Sequence, residues 1–152
     1  DLRRLLAYAD YSAGGMMTTE PVVMLPDSTV AEALARLRNV ELSPSLAAQV
    51  YVVRPPVQTP TGRFIGVAHI QRLLREPPST LIGAVLDTDL EPLSPNAPLQ
   101  KVARYFATYN LVAVPVVDET NRLLGAVSVD DLVDHMLPED WRSHDAEEGS
   151  DG

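Results

Sequence analysis

The chain has no cysteine among its 152 residues. This absence excludes a disulfide framework, a thiol nucleophile and a thiolate metal site, and it suits a reducing cytoplasm. Its three histidines, His69, His135 and His144, are isolated and have no partner at the usual spacing of metal ligands. No serine–histidine–aspartate set, phosphate-cradling glycine loop or metalloprotease motif is present in the sequence. The sequence therefore does not predict an enzyme.

Long apolar runs are also absent from the sequence. The longest, Leu111–Val117, falls far short of the roughly 20 residues that a helix needs to cross a bilayer. We therefore expect a soluble chain that does not insert directly into a membrane. The sequence begins at Asp1 without an initiator methionine or a signal-peptide pattern, so we also expect it to be an excerpt of a longer protein.

Positive charge is scarce. The chain has 12 Lys and Arg residues against 21 Asp and Glu residues, which gives a net charge of -9, and its pI is about 4.6. Since phosphate backbones are bound by clustered Lys and Arg, we do not expect a nucleic-acid partner. Acidic residues accumulate late in the chain, and residues 139–152 are predicted to form a disordered acidic tail.

The most informative feature that is present is an internal duplication. The matching segments, with the offset between them, are Pro26–Val30 with Pro95–Leu99 (69), Val50–Val53 with Val114–Val117 (64) and Ile65–Val67 with Leu124–Ala126 (59). Both decreases in the offset fall where turns are expected. The first copy therefore has the same elements as the second and longer loops.

Each copy is predicted to form a short strand, a helix, two strands and a helix, so the fold class is α+β. Apolar residues recur every three or four positions after Pro98, as on one face of a helix, and the β-branched segment Leu111–Val117 favours a strand. We place repeat 1 at residues 16–78 and repeat 2 at residues 79–138, preceded by the end of a helical domain and a linker at residues 1–15. A unit of about 65 residues is only marginally stable by itself, so we expect the repeats to pack together as a pseudo-two-fold pair.

This duplicated unit resembles a tandem pair of CBS domains. In repeat 2 the resemblance rests on Val114–Asp118, Leu124–Gly125 and Ser128–Leu132. Tyr11–Glu20 further resembles the segment that leads into the CBS pair of MgtE-type magnesium transporters, and Ala107–Asn110 continues that likeness. The resemblance covers residues 11–137.

The resemblance implies a regulatory role in the cytoplasm. It implies a homodimer attached to a transmembrane domain or another domain of a parent chain, which would place the module at the cytosolic face of the plasma membrane. CBS pairs are attached to enzymes, channels and transporters, so the fold by itself does not choose the function.

An adenine nucleotide is the first candidate ligand. Repeat 2 carries Gly125, Ser128 and Asp131 at the spacing that, by the resemblance, binds ribose and phosphate of ATP or AMP. The carboxylate would accept the ribose hydroxyls, and the hydroxyl and the helix-start amides would face phosphate. The resemblance also assigns Val112 and Pro115 to this site. Equally, Ser128 and Asp131 have the spacing of a capping box, which satisfies orphan amides where a helix begins.

Magnesium is the second candidate ligand. Mg2+ takes oxygen ligands, usually one or two carboxylates with retained waters. Asp130, Asp131 and Asp134 share a helical face and repel one another unless something intervenes. The resemblance implies that this acidic helix and Asn110 bind Mg2+ together with neighbouring subunits or domains, although the transporters prefer Asp at the position of Asn110. The helix dipole would favour Asp130 and Asp131 in the first turn even without a metal.

Repeat 1 differs at the matching positions. His69 and Arg72 stand where repeat 2 has Ser128 and Asp131, and this pair has neither the hydroxyl nor the carboxylate. We therefore expect at most one standard nucleotide site per chain. Three interpretations stay open: a magnesium-sensing module of a transporter, an adenine-nucleotide sensor of a soluble protein, and a dimerisation scaffold without a ligand.

Overall fold

The computed structural model describes residues 11–109 and 111–137. Its helices are α1 (Ala13–Met16), α2 (Val30–Leu37), α3 (Ile70–Leu73), α4 (Leu99–Tyr109) and α5 (Val129–Met136). Its strands are β1 (Val23–Met24), β2 (Gln49–Val53), β3 (Phe64–His69), β4 (Ala113–Val117) and β5 (Leu123–Ser128). Single 3-10 turns lie at Leu46–Ala48 and Ile82–Ala84. The predicted α+β class is confirmed.

Within the described ranges, no helix is both long enough and apolar enough to cross a membrane. Residues 1–10 of the predicted leading segment (residues 1–15) and the predicted tail at residues 139–152 lie outside the described residues.

Local sequence explains where α2 begins. Thr29 Oγ1 accepts a hydrogen bond from the Glu32 backbone N–H at 3.1 Å, and Glu32 Oε1 accepts one from the Thr29 backbone N–H at 3.3 Å. This reciprocal capping box satisfies two amides that have no partner inside the helix. The helix then buries Val30, Ala33 and Leu37, which lie on one face at helical spacing.

The two repeats build unequal sheets. In repeat 1, β1 is parallel to β2 and β2 is antiparallel to β3, whereas repeat 2 has only the antiparallel pair of β4 and β5. The prediction that repeat 2 begins with a short strand is therefore wrong. A single parallel bridge, between Leu93 and Val116, lies at that position instead. Leu93 lies between Pro92 and Pro95, and proline has no N–H with which to extend a ladder.

Each repeat incorporates a segment from the part of the chain where the other repeat begins. The α1 segment packs into repeat 2, where the Ala13 N–H donates to Ala97 O at 2.8 Å and the Gly14 N–H donates to Pro95 O at 2.7 Å. The 3-10 turn Ile82–Ala84 does the same in repeat 1, with Ile82 N–H to Ser28 O at 2.8 Å. These bonds are related by the same offset of 69 residues, so the duplication extends to the packing.

The extended segments near the start of each repeat also cross over. Thr18 forms an antiparallel bridge with Ala126 in β5, and Asp87 forms one with Val67 in β3. Each bridge consists of two backbone hydrogen bonds of 2.8 to 3.1 Å. The last strand of each repeat is thereby paired with the segment that enters the other repeat.

Three apolar clusters form the core. One belongs to repeat 1 and includes Val30 and Ile82, one belongs to repeat 2 and includes Met16 and Val102, and the third is shared. The shared cluster, here called the seam core, comprises the buried residues Val23, Tyr51, Val53, Phe64, Val67, Leu123 and Ala126. The repeats therefore meet through apolar side chains from both halves.

The turn from Asp118 to Arg122 closes one end of the seam. Asn121 has a φ of 63°, in the left-handed region that Asn tolerates, and its carbonyl accepts from the Phe64 N–H at 2.8 Å. Asp118 Oδ1 accepts from the backbone N–H groups of Thr120 and Arg122, each at 2.9 Å. Burial of Asp118 opposes ionisation, but these hydrogen bonds outweigh it and lower the pKa of the carboxyl.

Candidate functional site

The start of α5 is organised by Ser128. Its Oγ accepts a hydrogen bond from the Asp131 backbone N–H at 3.1 Å and donates to Asp131 Oδ2 at 2.9 Å. Ser128 is buried and Asp131 is half-buried. Ser128 therefore caps α5 as the spacing predicts, but the Asp131 carboxylate accepts from the Ser128 hydroxyl and not from its backbone N–H, so the reciprocal half of a capping box is not formed. A ribose bound here would have to compete for Oδ2 or use the other carboxylate oxygen.

The two other residues assigned to a nucleotide site lie in or beside β4. Val112 is 44% exposed, and its carbonyl accepts from the Val129 N–H at 2.8 Å, so it adjoins the start of α5. Pro115 is buried within β4, paired with Ala126 of β5. The fold thus brings Val112 beside Ser128, whereas Pro115 lies deeper in the sheet.

The acidic side chains of α5 point to different partners. Asp131 is occupied with Ser128, whereas the exposed Asp130 accepts a hydrogen bond at its Oδ2 from Ser45 Oγ of repeat 1, at 2.9 Å. Asp134 is exposed one turn further along the helix. Asn110, the fourth residue assigned to Mg2+, lies outside the described residues.

The carboxylates of α5 suit a solvent-exposed cation site and not one in which protein ligands surround the ion. Over residues 11–109 and 111–137, no group of three or more His, Cys, Asp or Glu side chains could hold a metal ion. Asp130 and Asp134 are exposed carboxylates one helical turn apart. Mg2+ is commonly held by one or two carboxylates and keeps several waters, so these two oxygen donors suit it.

Sequence reasoning missed Ser45. Ser45 belongs to no sequence motif, and only the folded chain brings it to Asp130. Its neighbours Ser43 and Leu46 line a cavity of about 360 Å³. The same cavity is lined by Thr18 and Arg36, so polar and charged groups of repeat 1 surround it.

A second cross-repeat contact lies close by. Gln49 Nε2 donates to Tyr51 Oη at 2.8 Å and to the Ala113 carbonyl at 3.3 Å. Both side chains are buried, and burial raises the pKa of Tyr51 well above its ordinary value, although the Gln49 hydrogen bond opposes this. Gln49 therefore joins repeat 1 to the residue with which β4 begins.

The matching positions of repeat 1 have a different chemistry. His69 Nε2 lies 3.2 Å from Asp87 Oδ2, and Arg72 Nε donates to Glu76 Oε1 at 2.7 Å. A hydrogen bond from the Asp89 N–H lowers the pKa of Asp87 against the effect of burial, and His69 lowers it further. His69 makes no capping hydrogen bond to α3. Arg72 thus forms an ion pair within repeat 1, and His69 contacts a carboxylate near the start of repeat 2.

Comparison with known proteins gives a match along most of the chain. A sequence model of the family described as CBS domain matches residues 13–79 and 82–138. The chain is 32% identical over 139 residues to the magnesium transporter MgtE of Thermus thermophilus and 32% identical over 134 residues to MgtE of Enterococcus faecalis. These alignments cover 91% and 88% of the chain, but the chain spans only 30% and 28% of the two relatives.

A solved structure is similar in both sequence and fold. It is the cytosolic domain of the Mg2+ channel MgtE in complex with ATP, which is 32% identical with a TM-score of 0.76. The match covers 89% of this chain and 52% of that one. A cystathionine beta-synthase pair domain from Shewanella oneidensis, at 19% identity and a TM-score of 0.75, shares the fold, and the match covers 87% of this chain and 73% of that one.

Proposed function

This chain belongs to the CBS domain family, and on that premise we propose that it is the regulatory module of an MgtE-like magnesium transporter. In this proposal Mg2+ at α5 selects one arrangement of the repeats or subunits, so that the dimer rearranges when Mg2+ binds. The observation that carries it is the position of Asp130, an exposed carboxylate in the first turn of α5 that is hydrogen-bonded to repeat 1. A cation held there acts on the contact between the repeats.

Electrostatic repulsion between the carboxylates is the physical basis of the proposed response to Mg2+. Asp130, Asp131 and Asp134 lie within one turn of α5, and like charges at this spacing destabilise a helix. A ligand shifts an equilibrium only by its difference in affinity for the two states. The spacing of these three carboxylates on one helix does not change with the arrangement. Mg2+ therefore favours the arrangement that brings oxygen ligands of a neighbouring subunit or domain against them, and without Mg2+ the unrelieved repulsion favours the other.

The proposal includes a homodimer joined to a transmembrane domain, at the cytosolic face of the membrane, with a regulatory and not a catalytic role. The outer surface of α5 supports a second copy as partner, because Val133, Met136 and Leu137 are 46%, 54% and 41% exposed. We retain repeat 1 at residues 16–78 and repeat 2 at residues 79–138 as the proposed domain boundaries.

Magnesium titration at constant ionic strength tests this function. We expect millimolar Mg2+ to raise the thermal unfolding midpoint, because a ligand that binds the folded state stabilises it. Asp130→Asn should weaken that response. Glu119→Gln is the matched control, since it removes one exposed negative charge elsewhere in repeat 2. If the control loses the response as fully as Asp130→Asn, or the unaltered chain shows none, the sensing function is wrong.

Adenine nucleotide is a second candidate ligand, favoured by a specific observation. The 32%-identical MgtE domain was solved with ATP, and repeat 2 places the Asp131 carboxylate beside the start of α5. Helix-start amides and a nearby hydroxyl suit phosphate, and a carboxylate suits ribose hydroxyls. Here Ser128 would combine capping with a ligand contact.

Asp131→Ala separates the capping and nucleotide roles. We expect it to abolish ATP and AMP binding in calorimetry while the helix persists, because the Asp131 backbone N–H still donates to Ser128 Oγ. Asp134→Ala removes an equal charge from the same helix and should bind nucleotide normally. Equal binding by Asp131→Ala would refute the nucleotide site. A dimer whose stability is unchanged by both ligands would instead identify a scaffold.

A further inference from the structure

The side chain of Ser45, in repeat 1, reaches the proposed cation helix α5. Ser45 Oγ donates to Asp130 Oδ2 at 2.9 Å, although the residues are 85 positions apart in the chain. Ser45 is 8% exposed, whereas Asp130 is exposed to solvent. The buried partner is fixed by its surroundings and the exposed partner is not, so Ser45 restricts Asp130 and not the reverse.

Backbone contacts hold Ser45 in place. The Ala47 N–H donates to Ser43 O at 2.9 Å, and the Leu46 N–H donates to Ser43 Oγ at 3.3 Å, which closes the turn around Ser45. This turn leads directly into β2, whose residues are all buried. The Ser45 hydroxyl therefore contacts α5 from a hydrogen-bonded turn that adjoins a fully buried strand of repeat 1.

The same stretch of repeat 1 is tied to the start of β4. Gln49 Nε2 donates to the Ala113 carbonyl, and the adjacent Val112 carbonyl accepts from the Val129 N–H of α5. A displacement of α5 relative to repeat 1 must therefore strain or break the contact between Ser45 and Asp130. The position of the Asp130 carboxylate therefore depends on how the two repeats are arranged.

We propose that Ser45 is a positioning residue that orients Asp130 for a divalent cation and thereby couples cation binding at α5 to the placement of repeat 1. The inference rests on the proposed magnesium-sensing function and identifies how that site is regulated. With Oδ2 of Asp130 held by Ser45, Oδ1 is the oxygen that would contact the cation. Partners that orient a metal ligand commonly change metal affinity by about 10- to 100-fold when they are removed.

A double-mutant cycle without Mg2+ tests the contact itself. Ser45→Ala, Asp130→Ala and the double variant are compared by denaturant unfolding. We expect the effects to be non-additive by roughly fivefold in the unfolding equilibrium constant, as for a net hydrogen bond near 1 kcal/mol. Additive effects would show that the two side chains are not coupled in solution and would overturn the inference.

Calorimetric Mg2+ titration tests the positioning role. We expect Ser45→Ala to weaken binding about tenfold or more, Ser45→Thr to restore it through its hydroxyl, and Ser43→Ala, in the same turn, to match the unaltered chain. Unchanged affinity in Ser45→Ala would overturn the inference even if the cycle shows coupling. An unaltered chain that binds no Mg2+ would overturn the proposed function, and the cycle would separately establish whether the contact exists.

Discussion

Gly125 and Gly66 occupy the closest approach between each repeat and the segment that crosses from the other. A β-carbon at Gly125 would overlap the carbonyl oxygen of Thr18, and one at Gly66 would lie 2.8 Å from the carbonyl oxygen of Asp87. Both glycines are in the last strand of a repeat, at matching positions 59 residues apart. Glycine is required there because backbone meets backbone.

We therefore expect Gly125→Ala to destabilise the fold by about 1–3 kcal/mol, as overpacking does in a tight core. Gly66→Ala should cost less, since its β-carbon is further from the opposing carbonyl. Denaturant unfolding of both variants measures the difference. Equal stability of Gly125→Ala and the unaltered chain would contradict the bridge between Thr18 and Ala126.

Residues differ in how far their sequence context predicts their role. Ser128 and Asp131 have the spacing of a capping box, and the structure has that hydrogen bond. Ser45 belongs to no motif, and its partner is fixed by tertiary packing alone. Local rules describe neighbours in the chain, so they find the first pair and miss the second.

At the scale of elements, α1 and the 3-10 turn Ile82–Ala84 are equivalent pieces that complete the neighbouring repeat. Met16 is 4% exposed within the repeat 2 core, and Ile82 is fully buried within the repeat 1 core. The sequence showed that the copies share an order of elements. The insertion of α1 into repeat 2 depends on packing, which periodicity does not reveal.

Met16→Ala and Ile82→Ala should each destabilise the fold by about 2–5 kcal/mol, because each leaves a cavity in a core. Hydrogen exchange distinguishes them: we expect Met16→Ala to raise exchange mainly in β4 and β5, and Ile82→Ala mainly in β2 and β3. Val40→Ala, at a position that is 96% exposed, is the control and should change stability by no more than about 0.5 kcal/mol. Exchange that rises only in repeat 1 for Met16→Ala would contradict the insertion.

At the scale of the whole molecule, the seam core makes the repeats interdependent. Tyr51, Val67 and Leu123 are completely buried in it, and they come from both repeats. A half-chain would expose this surface to water, which costs about 25 cal/mol of free energy for each Å² of exposed apolar area. It would also lack the segment that the other half donates.

We expect fragments 11–78 and 79–137 to be poorly ordered when separate and to recover a cooperative thermal transition when mixed. A fragment that spans residues 18–86 carries the inserted turn of repeat 1 and should be better ordered than fragment 16–78. Circular dichroism during heating measures each of these outcomes. Cooperative unfolding of fragment 16–78 alone would show that the repeats are independent.

The sequence by itself determined the duplication, the α+β order of elements, the acidic face of α5 and the resemblance to a CBS pair. These properties are encoded by side-chain periodicity, turn residues and spacing, which are local in the chain. Only the tertiary structure decided that α1 completes repeat 2 and that Ser45 meets Asp130. Such contacts join residues far apart in the chain, and they form where two apolar faces exclude water together.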